Sequence, residues 1–129
     1  MPIVSLYAAL LALLFAALGI RTVLLRRRLA IAVGDGGNPL LLRAMRVHAN
    51  FAEYVPLTLL LIFFLEQAGA APLRVHLLCA MLLAGRVLHA IGVSRVREPY
   101  ALRVVAMTLT FTPLIGAATL LLSFYLARM

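Results

Sequence analysis

RVHANFAEYVP, Arg46 to Pro56, stands at the head of an otherwise apolar run, and LTLLLIFFL, residues 57–65, follows it without a charge. An arginine, a histidine, an asparagine and a glutamate therefore enter a segment greasy enough to cross a bilayer. The whole chain has the same character. Its 129 residues fit one domain, 1–129. They are 65% hydrophobic and 12% charged, with a mean hydropathy of +1.09, whereas soluble domains carry roughly a quarter charged residues. Residues 3–20 and 104–127 contain no ionisable group except Tyr7 and Tyr125. Each exceeds or approaches the ~20 helical residues that span a hydrocarbon core. The composition describes an integral membrane protein.

A net charge of +8 would suggest nucleic acid in a soluble chain. Here the arginines flank apolar runs, so anionic lipid headgroups and orientation signals account for them, and no nucleic-acid partner is expected. Arg21, Arg26, Arg27 and Arg28 follow the first apolar run instead of preceding it, which argues against a secretory signal. The lone Cys79 excludes an internal disulfide and reads as core filler. GDGGNP, residues 34–39, has neither the strand nor the lysine of a phosphate loop and reads as a turn. Metal-ligand spacing is absent, so no metal is expected. A haem between His48 and His89 is disfavoured because His48 lies off the stripe that carries Arg46, so no haem is expected either.

Four spans are expected, at about 3–25, 39–66, 73–93 and 99–127, giving an all-α, antiparallel up-down-up-down membrane bundle. Asn38 and Pro39 form a cap and first-turn proline for the second span, and Glu98, Pro99 and Tyr100 do the same for the fourth. Pro113 is expected to bend the fourth span beside the small-residue run Gly116-Ala117-Ala118. The first loop and its flanks hold Arg26, Arg27, Arg28, Arg43 and Arg46, and the third holds Arg95, Arg97 and Arg103; the second turn has only Arg74 and the C-terminus only Arg128. Loops one and three are thus expected in the cytoplasm and both termini outside.

The first and fourth spans read as clean, the middle two as polar. At 1.5 Å per residue, Glu53 falls ~10 Å inside the hydrocarbon, and Arg86 reaches about the same depth on the next helix. Either charge facing lipid alone would cost ~2.5–3.5 kcal/mol near the bilayer centre, somewhat less at this depth. Both are expected to point inward and pair, directly or through a polar ligand. Arg43, Arg46, Asn50, Glu53 and Leu57 step by three and four along one stripe with Tyr54 at its edge, and Arg86 and His89 share a face of the third helix. A structural ion pair is one reading; a site for a charged small molecule is the other.

These residues resemble the family of membrane-associated proteins in eicosanoid and glutathione metabolism, MAPEG, in its bacterial form. The pattern R-x-x-x-N-x-x-E-Y-x-P is carried by Arg46, Asn50, Glu53, Tyr54 and Pro56, preceded by Arg43, and GRVLHAIG, residues 85–92, is similar to the third-helix segment. The resemblance implies a homotrimer with glutathione bound between protomers as co-substrate, in a bacterial inner membrane. It implies that Arg46, Asn50, Glu53 and Tyr54 hold the tripeptide, and the polar faces of the second and third helices add Arg43 and His89 as further candidates to bind it. Arginines fork onto its carboxylates and Glu53 meets its ammonium. Arg103 takes the place of the thiolate-stabilising arginine, with Arg86 as second candidate. Lowering a thiol pKa of ~8.5 by about two units needs ~2.7 kcal/mol of differential stabilisation, within reach of one arginine at reduced dielectric.

The implied activity is transfer of glutathione to, or glutathione-dependent peroxidation of, lipophilic electrophiles that arrive through the bilayer. The chain departs from catalytic eukaryotic members by carrying Val87, Ile91 and Val93 near the third-helix glycine where they carry tyrosines. Two alternatives follow: a non-catalytic membrane scaffold of the same fold, or a small proton-coupled exporter titrating Glu53, against which the neighbouring arginines argue.

Overall fold

A computed structural model describes residues 1–95 and 99–129, with the chain in four helices: α1 (Ile3–Leu29), α2 (Pro39–Gln67), α3 (Pro72–Val93) and α4 (Tyr100–Leu126). All four are long and apolar enough to cross a membrane. α1 runs four residues past its expected end because Arg26, Arg27 and Arg28 are good helix formers that also complement the carbonyl end of the helix. It stops at Ala30, which turns left-handed with φ 54° and donates back to Arg26 and Arg27. The side chain of Asn38 accepts from the amides of Leu40 and Leu41 at 3.0 and 3.1 Å, as a cap before proline should. At α4 the expectation shifts by one: Pro99 is the cap residue and Tyr100 the first helical one, while Glu98 and Arg97 lie outside the described residues.

The loop between α1 and α2 is wound around an arginine. Arg26 Nη1 donates to the carbonyls of Ile31, Ala32 and Gly34 at 3.4, 3.1 and 2.9 Å. Gly34, Gly36 and Gly37 all take positive φ, which only glycine adopts at no steric cost.

α2 and α3 form the middle of the molecule. α1 packs on both, α4 packs on both, and the backbones of α1 and α4 stay apart, with no Cα pair within 8 Å. One apolar cluster joins Val4, Ile62, Leu65, Val75, Cys79 and Ala117; a second joins Leu11, Val47, Phe51, Val55 and Leu82. Cys79 is fully buried in the first, as its apolar surroundings indicated. At the end of the bundle near that cluster, the Glu66 carboxylate accepts from the amides of Ile3 at 2.5 Å and Val4 at 3.2 Å. It thereby satisfies two of the four orphan donors at the start of α1, a cap lent by another helix.

The tightest seam is between α3 and α4. Leu78 lies against Gly116, Gly85 against Ala106 and Thr110, and Gly92 against Leu102. A Cβ on Gly85 would come within 2.9 Å of the Ala106 carbonyl oxygen and 3.0 Å of Thr110 Oγ1, while one on Gly116 would meet nothing closer than 3.6 Å. α4 continues unbroken through the buried Pro113. Gly85→Val is therefore expected to cost ~1–3 kcal/mol as forced overpacking, and Gly116→Ala very little. Thermal unfolding in detergent should lower the midpoint of the first variant and leave the second near that of the wild type.

Candidate functional site

The polar stripe of α2 opens into a pocket of about 260 Å3 lined by Arg46, Ala49, Asn50 and Glu53 from α2, His89 and Val93 from α3, and Arg103 from α4. Helical spacing does the gathering. Positions 46, 49, 50 and 53 recur within one turn or two on the face of α2 toward α3 and α4, and 89 and 93 share a face of α3. His89 is almost completely buried, whereas Arg46, Glu53 and Arg103 stay exposed on the surface of the single chain. Two guanidiniums, one carboxylate, one amide and one imidazole thus meet in one small volume.

Five of the eight residues singled out from sequence line this pocket: Arg46, Asn50, Glu53, His89 and Arg103. The other three lie elsewhere. Arg43 sends Nη1 to the carbonyl oxygen of Val93 at 3.1 Å, satisfying the last turn of α3. The ring of Tyr54 stands edge-on to Phe111 with centroids 5.2 Å apart, spent on packing against α4. Arg86 is 1% exposed and lies beneath the pocket floor.

The surroundings of Arg86 correct the expected charge pairing. Its Nη1 donates to Asn50 Oδ1 at 2.7 Å and its Nη2 to Thr110 Oγ1 at 2.5 Å, with Met107 Sδ 3.6 Å from Nη2. Glu53 is not among its partners. Asn50 lies one turn before Glu53 and reaches the buried guanidinium first, while Glu53 is an exposed residue of the pocket wall. Thr110 in turn donates to the Ala106 carbonyl at 2.9 Å, so its hydroxyl accepts from one helix and donates within its own.

Thr110 is the residue that the sequence reading misses, since the fourth span reads as clean. The signal was present: Arg103, Met107 and Thr110 recur at i, i+4 and i+7, so a buried hydroxyl shares a face with the arginine at the start of the helix. His48, weighed as a haem ligand, stacks on Phe15 of α1 at 4.3 Å between centroids. Among the described residues no cluster of metal-ligating side chains forms.

Arg103 belongs to two concavities. Beyond the polar pocket it also lines an open groove of about 950 Å3 along the outer face of α4, walled by Val104, Met107, Phe111 and Ile115. A polar chamber and an apolar trough therefore share one guanidinium.

A family model described as the MAPEG family matches residues 4–123. The chain is a member of the MAPEG family. Two relatives, both described as inner membrane protein YecN and found in Escherichia coli K12 and in the O6:H1 strain CFT073, are each 42% identical over 88 residues, covering 68% of this chain and 67% of theirs. No solved structure matches. As a MAPEG chain with four apolar helices, it is a multi-pass membrane protein.

A polar pocket in a MAPEG helix bundle has a direct chemical signature if water reaches it, because a thiol reacts with charged reagents only where it ionises. In a Cys79→Ala background, Ala49→Cys is expected to react with a charged methanethiosulfonate in detergent or vesicles. Leu13→Cys, on the exposed apolar face of α1, should stay unlabelled in vesicles.

Proposed function

We propose that this MAPEG member is a glutathione-binding inner membrane protein that holds the tripeptide thiol as thiolate for attack on lipophilic electrophiles. The observation that carries the reading is the lining of one pocket by Arg46, Asn50, Glu53, His89 and Arg103, with Arg103 shared between that pocket and the apolar groove of α4. Glutathione has two carboxylates, one ammonium and one thiol. Arg46 and Arg103 supply cations for the anionic groups, Glu53 the anion for the ammonium, and Asn50 an amide for the peptide. An electrophile dissolved in lipid reaches the same guanidinium along the groove. The sulfur then bonds to its electrophilic carbon, whose bonding pair departs with a leaving group or moves into a conjugated system that takes up a proton. Alternatively, two glutathione thiols reduce a lipid hydroperoxide to alcohol and water and leave as the disulfide.

The proposed assembly is a homotrimer of antiparallel up-down-up-down bundles, with both termini outside and loops one and three in the cytoplasm. The α3–α4 register supports the alternation, since Leu78, Gly85 and Gly92 meet Gly116, Ala106 and Leu102 in descending order. Exposure of Glu53 supports a partner subunit over the pocket. A bare carboxylate toward acyl chains costs ~2.5–3.5 kcal/mol or less according to depth, and another protomer with its ligand removes that cost. Among the described residues no tyrosine lines the polar pocket, where Val93 is part of the wall, and Tyr100 lines the adjoining groove beside Arg103. That favours, as a second reading, a member that binds glutathione without turning it over.

Titration calorimetry with glutathione in detergent tests the first step. Arg46→Ala and Glu53→Gln should each weaken binding by ~2 kcal/mol or more, as for removal of one partner from a desolvated charge contact. Tyr54→Phe, whose ring packs on Phe111, should stay within about 0.5 kcal/mol of the wild type. Unchanged affinity in both charge variants rejects the site.

Arg103 tests the chemistry separately. Arg103→Ala is expected to reduce the thiolate absorbance of bound glutathione at neutral pH and to abolish conjugation, with a smaller loss of affinity. A wild type that binds glutathione yet neither ionises nor conjugates it selects the binding-only reading.

A further inference from the structure

The residue beneath the pocket points to a device that none of the ligand-facing groups explains. An arginine has five N–H donors and no acceptor, so the Asn50 atom 2.7 Å from Arg86 Nη1 has to be the amide oxygen. The usual ambiguity between the two ends of an asparagine amide is removed by its neighbour's chemistry. Once Oδ1 is engaged downward, the plane of the amide is held and Nδ2, with its two donors, remains. Asn50 Nδ2 has no partner among the described residues. It is not sealed off either: the only sealed, unpartnered side-chain nitrogen or oxygen among them is Arg86 Nε.

We propose that Arg86 is a positioning residue that locks the Asn50 carboxamide with its N–H donors toward the pocket, making this part of the site selective for an acceptor on the ligand, a carboxylate or a peptide carbonyl. The clamp has two jaws. Nη1 holds Asn50, and Nη2 is held on the far side by Thr110 Oγ1 at 2.5 Å, whose own proton is committed to the Ala106 carbonyl. Thr110 is therefore restricted to accepting, and the guanidinium cannot swing away from α2 without losing it. Gly85 completes the arrangement. Its missing Cβ lets α4 approach so closely that any side chain there would meet Thr110 Oγ1 at 3.0 Å. Burial adds force to the lock, because a cation 1% exposed cannot exchange either partner for bulk water.

This assignment differs from direct activation of the thiol. Arg86 does not line the pocket, and its contact with the lining runs through Asn50. It separates Arg86 from Arg103, which faces the ligand. It also predicts that Asn50→Asp is not conservative: a carboxylate would pair with Arg86 but offer only acceptors to a ligand that presents acceptors.

The assignment rests on the glutathione reading for its ligand, so the experiment has one arm that needs no ligand. The chain contains two asparagines, Asn38 and Asn50, so selective 15N-asparagine labelling of the full chain in detergent yields two side-chain amides. Arg86→Met and Thr110→Val should each shift the Asn50 pair and leave the Asn38 pair in place. Unmoved Asn50 signals in both variants overturn the lock, whether or not glutathione binds.

The second arm is a double-mutant cycle on glutathione affinity. Asn50→Asp and Arg86→Met should each weaken binding about tenfold, the size expected for losing one hydrogen bond to a charged or buried group. In an Asn50→Ala background, adding Arg86→Met should change affinity by less than about twofold, because the effect is carried through the missing amide. Additive losses would mean that the charge acts on the ligand directly and would overturn the positioning role. Thr110→Val replaces Arg86→Met in the cycle if the latter does not assemble. Its expected loss is about threefold alone and none beside Asn50→Ala. A wild type that fails to bind glutathione defeats the functional proposal, and the amide signals then decide the lock by themselves.

Discussion

A buried guanidinium joining three helices is the constraint on which the rest of this molecule turns. Arg86 sits in α3, donates to Asn50 of α2 and to Thr110 of α4, and is cut off from solvent. A cation in that position has no competing water, so a move of either neighbouring helix would strand a donor at a cost of several kcal/mol per ion. The bundle is held in one register at this level by a polar requirement, where van der Waals contact between aliphatic side chains would tolerate sliding. The glycine at 85 is part of the same requirement, since α4 has to come close before Thr110 can serve.

From that level outward the molecule divides by polarity. Toward the end that holds Cys79 and Val75 the core is dry, with one lent carboxylate, Glu66, closing the start of α1. Toward the other end the side chains become donors and acceptors: Asn50, His89, Arg46 and Glu53 around a pocket, then Arg43 tying α2 to the last turn of α3. The gradient is built from helices that are each apolar enough to span a membrane. Buried charge is found where three helices converge and one can satisfy another.

Exposure of Arg46, Glu53 and Arg103 on the isolated chain has a physical meaning in lipid that it lacks in water. In water an exposed charge is at rest, whereas at membrane depth it needs a partner. Arg103 is placed where two environments meet, lining both a polar chamber and an apolar trough. Such a junction suits the proposed reaction between a water-soluble thiol and a lipid-soluble acceptor, since neither reactant enters the other's phase.

The four helices, their starts at Asn38 and near Pro72, and the inward stripe on α2 were legible in the residues, because apolar length and a period of 3.6 are local properties of the chain. So was the family, whose pattern on α2 is contiguous. Side-chain partnership was not legible. Depth along the helices matched Glu53 with Arg86, yet depth is one coordinate of three. The rotation of α2 about its axis presents Asn50 to the guanidinium and leaves Glu53 on the exposed side of the pocket. The stripe points Arg43 to the site and the family resemblance points Tyr54 there, yet tertiary packing sets Tyr54 against Phe111 and Arg43 on a carbonyl of α3. Spacing within a helix determines which residues can share a face, and only the packing of helices decides what that face meets.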